Sequence, residues 1–132
     1  MNTTEQAKRN SNIPASLIDA VVEQIGEAER LEDVYHHGAD GGLTGFTYYS
    51  ETLPFFNANQ KDIVALVESM AEEMGQNPIE FVQSFRCLNA DKGEYIPSIS
   101  RCLYAKPTDE DVDVANAVAW FALEEVARAF ID

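Results

Sequence analysis

The chain has 132 residues, and its 23 Asp and Glu side chains outnumber its 9 Lys and Arg side chains to give a formal net charge of −14. The length is that of one domain, and a hydrophobic fraction of 45% excludes an intrinsically disordered chain. The acidic residues are therefore expected on the surface of a folded domain. Such a surface repels phosphate, which argues against direct binding to nucleic acid or to an anionic membrane.

The sequence gives no sign of secretion or of membrane insertion. Its N-terminal residues are polar and lack the apolar core of a signal peptide. The longest apolar run, Ala117 to Leu123, is far shorter than the roughly 20 residues that span a bilayer. Cys87 and Cys102 match neither a zinc-binding spacing nor a disulfide framework, and both are predicted to be buried free thiols. We therefore expect a soluble protein of the cytoplasm.

In chain order, a flexible tail is predicted over residues 1–12, followed by a single α-helical domain over residues 13–132. The first helix of this domain starts at Pro14, and its apolar residues recur at helical spacing. These residues are Leu17, Ile18, Val21, Val22 and Ile25. Gly26 weakens the helix, although residues 27–35 could extend it.

A glycine-rich loop is predicted next, because residues 38–45 contain more glycine than a regular helix tolerates. The aromatic and β-branched run Phe46–Tyr49 is the segment predicted to be extended. Ser50 or Thr52 is expected to cap a helical turn that begins at Leu53. The loop is thus followed by at most one short extended segment before helical structure resumes.

The second half of the chain is predicted to be helical throughout. One helix runs from Asn59 to a stop at Gly75, and Asn77 and Pro78 open the next as its cap and first residue. A short helix is expected over residues 97–103, and Thr108 caps a long final helix. That last helix carries alanines on its buried stripe and is expected to be central, with Trp120 and Phe121 in the core. The fold class is therefore mostly α: a compact single-domain bundle of about five helices.

One candidate site is the loop region around His36, His37 and Asp40. Imidazoles and a carboxylate can bind a divalent metal or exchange protons near neutral pH. Adjacent histidines on a helix point about 100° apart, and no further ligand stands at a recognisable spacing. The competing interpretation is that His37 and Asp40 only support the glycine-rich loop. We therefore assign no catalytic residue, no metal ligand and no cofactor.

A second candidate is the pattern of carboxylates on the helices. Asp19, Glu23 and Glu27 repeat every four residues, as do Glu68 and Glu72, beside Glu73. Like charges at this spacing destabilise a helix, so the pattern does not serve helix stability. Two interpretations follow: an acidic face that keeps the protein soluble, or a binding surface for a basic partner.

Three segments resemble an uncharacterised family of small acidic proteins that phages and plasmids encode. These are the run from His37 to Thr52 with its His-Gly-Ala-Asp-Gly-Gly start, the piece Phe85–Asn89, and the run Ala119–Ala129 with its Trp-Phe-Ala-x-Glu-Glu-Val-Ala-Arg pattern. The similarity extends from about residue 30 to the C-terminus. The resemblance brings no known reaction or functional residue, but it implies a mobile-element context. Small acidic proteins in that context often inhibit host defence.

The sequence thus favours a non-enzymatic interaction protein, monomeric or dimeric, that inhibits a host defence complex of the CRISPR–Cas or restriction type in the host cytoplasm. Its acidic faces would meet a basic nucleic-acid-binding surface, with DNA mimicry as one mode. The alternatives are a small metal- or His-dependent enzyme that uses the His36-His37-x-x-Asp40 loop, and an adaptor that dimerises through Phe55 and Phe56.

Overall fold

The computed structural model describes residues 2–26, 29–37, 49–86, 88 and 93–131. All regular secondary structure in these ranges is helical, which confirms the predicted mostly α fold. The helices are α1 (Thr4–Asn10), α2 (Ala15–Gln24), α3 (Glu29–His37), α4 (Tyr49–Glu73), α5 (Pro78–Gln83), α6 (Ile96–Tyr104) and α7 (Val112–Ile131), with a 3₁₀ turn at Asp109–Asp111. The glycine-rich loop and Cys87 lie outside the described residues. No helix in the described ranges is both long enough and apolar enough to cross a membrane.

Helix α7 forms the centre of the domain, as its alanines predict. Ala115, Ala119 and Ala122 are fully buried, and their small side chains allow neighbouring helices to approach closely. Helices α4 and α3 make the most extensive contacts with α7. Trp120 is buried with 7% of its surface exposed, and Phe121 is partly buried against the core. The predicted core position of both aromatic residues is confirmed.

The N-terminal segment is a packed helix where the sequence predicts a flexible tail over residues 1–12. Thr3 and Gln6 form a reciprocal cap at the start of α1, and Ala7 is fully buried. The Asn2 backbone N–H donates to the Phe130 carbonyl at 2.7 Å, and its side-chain Nδ2 donates to the Ala129 carbonyl at 2.8 Å. These bonds satisfy carbonyls at the C-terminus of α7 that otherwise have no helical partner.

Helix α2 buries the predicted face but does not continue into the following segment. Leu17, Ile18 and Val21 are fully buried, as their spacing predicts. The helix ends at Gln24, and α3 begins at Glu29. Gly26 has a φ of +125°, a conformation that residues with a Cβ rarely adopt. This glycine therefore ends the helix, and the predicted extension over residues 27–35 is replaced by a separate α3.

Helix α4 is longer than the sequence predicts. It begins at Tyr49, so this residue is helical rather than extended, while residues 46–48 lie outside the described ranges. Pro54 lies within the helix, and Asn59 has a non-helical backbone with φ −121° and ψ 16°. The Asn59 side chain donates to the Phe55 carbonyl at 2.9 Å, which supplies a hydrogen bond at the kink. The predicted start at Asn59 is therefore an internal kink.

A buried carboxylate joins α6 to the start of α7. The Asp111 side chain is fully buried and accepts from the Arg101 guanidinium at 2.7–3.0 Å, from the Ser98 hydroxyl at 2.7 Å and from the Thr108 N–H at 2.9 Å. Arg101 and these hydrogen bonds hold the pKa of the Asp111 carboxyl far below its usual range. Nearby, burial raises the pKa of the Cys102 thiol to about 12, so this cysteine is a buried thiol, as predicted.

Candidate functional site: the acidic helix faces

Two of the three carboxylates predicted to form a row on the first helix lie in the described residues. Asp19 and Glu23 lie on α2, which ends at Gln24, and Glu27 lies outside the described residues. Asp19 is ion-paired with Lys8, whose Nζ lies 2.7 Å from the Asp19 carboxylate. The hydrogen bond to Asp19 raises the pKa of Lys8. Asp19 therefore holds α1 against α2, and its charge is partly neutralised within the chain.

Glu23 is exposed beside a groove of about 640 Å³ between α2 and α4. The groove is lined on the α4 side by Pro54, Phe55 and Ala58. Glu23 also lies in the last turn of α2, which contains no basic residue. A carboxylate at this end of a helix is opposed by the helix dipole.

All three carboxylates of the second predicted row lie on α4 in the described residues. Glu68, Glu72 and Glu73 are all exposed, and Glu72 and Glu73 are at the C-terminal end of the helix. Glu68 and Glu72 are about 6 Å apart along the helix axis, on the same face. The last turn of α4 contains no Lys or Arg. The helix dipole thus opposes the charges of Glu72 and Glu73, and Glu68 and Glu72 repel each other across one turn.

The structure adds a carboxylate from α7 to this row. Glu73 and Glu125 line the same groove of about 290 Å³, between the N-terminal segment, α4 and α7. Arg128 also lines it and lies 3.9 Å from the Glu125 carboxylate. We call Glu68, Glu72, Glu73 and Glu125 the α4–α7 acidic surface. The sequence did not indicate Glu125, because its proximity to Glu73 depends on how α4 packs against α7.

The histidine region is only partly described. His36 is exposed on α3, where its Nε2 lies 3.9 Å from the Glu32 carboxylate and its ring meets Tyr35 edge-on. His37 is the last residue of α3, and Asp40 lies outside the described residues. Within the described ranges, His, Cys, Asp and Glu side chains form no group of three that could hold a metal. The His36-His37-x-x-Asp40 enzyme site stays a prediction.

The aromatic pair proposed as a dimer contact is not at the surface. Phe56 is fully buried, and only 6% of Phe55 is exposed. Both side chains belong to the core, where α4 packs on its neighbours. An adaptor that dimerises through these rings would have to unfold part of its own core, so this basis for the adaptor hypothesis is wrong.

Comparison with known proteins identifies a family but no function. The family described as a domain of unknown function (DUF7222) matches residues 9–132, which is nearly the whole chain. No curated protein and no solved structure matches the chain.

Proposed function

The chain belongs to the DUF7222 family, and we propose that it is a non-enzymatic inhibitor, encoded on a phage or plasmid, of a host defence complex. The partner is a CRISPR–Cas effector or a restriction enzyme with a basic nucleic-acid-binding surface. The carboxylates of the inhibitor occupy the place of phosphates, which is a form of DNA mimicry. The net charge of −14 and the resemblance to proteins of mobile elements support this proposal.

One observation carries the proposal: the three α4 carboxylates of the α4–α7 acidic surface lie where their charges oppose the fold. Glu72 and Glu73 are at the negative end of the α4 dipole, and Glu68 repels Glu72 across one turn. Acidic residues that only kept the protein soluble would be equally effective at helix N-termini, where they also add stability. Their position therefore favours a binding role over a purely solubilising one.

Asp19 and Glu23 are expected to contribute less to partner binding than the α4–α7 acidic surface does. The Lys8 ammonium is 2.7 Å from Asp19 and offsets its charge, whereas Glu68, Glu72 and Glu73 lie on a helix whose last turn has no cation. The field that attracts a basic partner is therefore expected to be strongest at the C-terminal end of α4.

Affinity capture from host lysate, followed by an activity assay, tests the proposal. The tagged protein should retain a nucleic-acid-binding complex at low salt and release it at high salt, since screening weakens contacts between exposed charges. The purified complex should then lose nucleic-acid binding or cleavage when the protein is added. The variant Glu68→Gln/Glu72→Gln/Glu73→Gln should inhibit at least tenfold less well, which corresponds to about 1.4 kcal/mol of binding free energy.

A matched control separates the surface from the net charge. Asp109→Asn/Glu110→Gln/Asp113→Asn removes the same number of negative charges from exposed positions at the other end of α7. This variant should inhibit nearly as well as the wild type. Equal inhibition by the wild type and the α4 variant would contradict the assignment of this surface, and absence of any salt-sensitive nucleic-acid-binding partner would contradict the proposed function itself.

A further inference from the structure

The outward face of α7 carries a groove of about 590 Å³ that the acidic rows do not include. Asn116, Trp120 and Glu124 line it from α7, where their four-residue spacing places them on one side of the helix. Phe121 of α7 and Phe85 and Arg86 from the turn after α5 complete the lining. The groove thus combines aromatic walls with one carboxylate, one amide and one guanidinium.

The aromatic walls form a fixed cluster. The Phe85 and Phe121 rings have centroids 5.4 Å apart, and Phe81 of α5 meets both rings edge-on at 5.3 and 5.4 Å. Trp120 lies one helical turn before Glu124, with 7% of its surface exposed. Phe85 and Phe121 are only partly buried, so their accessible ring surface can contact a cation without further loss of side-chain freedom.

The polar groups of the groove favour a cation that donates hydrogen bonds. Burial and the neighbouring Glu125 charge raise the pKa of the Glu124 carboxyl, so an arriving cation would relieve unfavourable interactions of the ionised form. The Asn116 side-chain oxygen is buried, and within the described ranges no donor reaches it. Both groups are acceptors that a ligand rich in N–H groups could satisfy.

We propose that this groove binds the guanidinium group of an arginine side chain on the basic partner. A guanidinium is planar, stacks on aromatic rings and donates several N–H bonds in a fixed fork, whereas a lysine ammonium is a compact and more strongly hydrated charge. The groove would supply the central, partly desolvated anchor of an interface whose outer charges lie on the α4–α7 acidic surface. This inference rests on the proposed function, because it takes a basic protein as the partner.

Arg86 is the residue that opposes such a ligand. It is exposed and makes no ion pair within the described part of the chain. A cation in the groove would meet its positive charge, so removal of Arg86 should strengthen binding. Lys61, exposed on α4, provides a control with the same change of charge at a distant position.

Titration with capped tetra-arginine and tetra-lysine peptides tests the inference, because the single tryptophan of the chain lies in the groove. Tetra-arginine should change the Trp120 fluorescence and bind several-fold more tightly than tetra-lysine. Glu124→Gln should weaken tetra-arginine binding about tenfold, as expected for loss of one charge-assisted contact. Glu110→Gln, which removes one exposed charge elsewhere, should weaken it less than twofold. Arg86→Ala should tighten binding more than Lys61→Ala does.

Two results would overturn the inference. One is equal affinity for the two peptides, and the other is equal weakening by Glu124→Gln and Glu110→Gln. Either result would reduce the interaction to general attraction between a polycation and an acidic protein. The lysate and inhibition assays with the α4 variants do not depend on Trp120 or Glu124. A negative result for arginine binding in the groove is thus distinguishable from a negative result for the proposed function.

Discussion

Replacement of Asp111 by asparagine is expected to destabilise the fold by about 2–3 kcal/mol at neutral pH. The carboxylate is fully buried and receives hydrogen bonds from Arg101, Ser98 and Thr108. An asparagine keeps one acceptor oxygen, but its NH₂ group is a donor and cannot accept the hydrogen bonds that the second carboxylate oxygen accepts. Loss of a partner from a buried ion pair costs about 3–5 kcal/mol. The estimate of about 2–3 kcal/mol for Asp111→Asn is lower because the Arg101 side chain is 42% exposed and stays hydrated.

The sign of the pH dependence follows from the lowered pKa of Asp111. Because the carboxyl ionises more readily in the folded chain than in the unfolded chain, its stabilisation is complete above the unfolded value of about 3.9. It is lost as the pH falls from there towards the folded-state pKa. The difference in unfolding free energy between wild type and Asp111→Asn should therefore be constant from pH 6 to 8 and shrink clearly near pH 3.

Urea unfolding followed by Trp120 fluorescence measures the difference in unfolding free energy at each pH, since this residue is the sole tryptophan and is buried in the native state. Thermal unfolding followed by the same signal gives the melting temperature. At roughly 4 °C per kcal/mol, the melting temperature at neutral pH should fall by about 8–12 °C. The rest of the acidic surface titrates alike in both proteins and cancels in the difference. A difference below about 0.5 kcal/mol at neutral pH, or one that is unchanged near pH 3, would refute the reasoning.

Two further predictions concern the backbone at Gly26 and the Cys102 thiol. Gly26→Ala should destabilise by about 1–3 kcal/mol in urea unfolding, because a Cβ at φ +125° is strained and lies 3.1 Å from the Arg30 Cγ. Gly75→Ala, at φ +69° with open space around the Cβ, should cost less, and the reverse order would contradict the strain argument. Cys102 keeps its proton to about pH 12 in the folded chain, whereas the unfolded thiol ionises near pH 9. Ionisation of this thiol thus does not affect stability below about pH 8 and should lower it by about 1.4 kcal/mol at pH 10. Cys102→Ala should lack this loss of unfolding free energy between pH 8 and pH 10. If the variant loses as much stability over that range as the wild type, ionisation of the thiol is not the cause.

Elements with strong local signals could be predicted from the sequence. Asn77 and Pro78 open α5 with the expected cap, and Thr108 caps the turn that leads into α7. Each cap is a hydrogen bond between residues two or three positions apart, so the signal is complete within a short stretch of sequence. The apolar face of α2 could be predicted for the same reason, because the spacing that indicates it lies within the helix itself.

Elements that depend on distant partners could not be predicted. Helix α1 has only seven residues, too few for stability alone, and Asn2 binds carbonyls of α7 that are 127 or more positions away in sequence. The continuity of α4 across Pro54 depends on burial of the adjacent Phe55 and Phe56. In the same way, the α4–α7 acidic surface required the packing of Glu73 near Glu125. The four-residue spacing of Asn116, Trp120 and Glu124 was visible in the sequence, but the groove beside it was not.

The strongest test of a binding role for the α4 carboxylates is their effect on stability. Each exposed charge at an unfavourable helix end costs about 0.3–1 kcal/mol, and a like-charged pair one turn apart adds about 0.2–0.5 kcal/mol. Screening and solvent exposure reduce the sum for Glu68, Glu72 and Glu73 to about 1 kcal/mol. Glu68→Gln/Glu72→Gln/Glu73→Gln should therefore be about 1 kcal/mol more stable than the wild type and melt about 4 °C higher.

The control for this prediction is again the triple variant at Asp109, Glu110 and Asp113. These carboxylates stand at the N-terminal end of α7, where the dipole favours negative charge, so their removal should lower stability. The two variants have the same net charge, and relief of overall repulsion cannot explain opposite signs. If the α4 variant gains stability while it loses inhibition, the charges at this helix end are retained against the fold, as expected for a binding surface. If it loses stability, those carboxylates stabilise the fold, and the observation that carries the proposed function has a structural explanation instead.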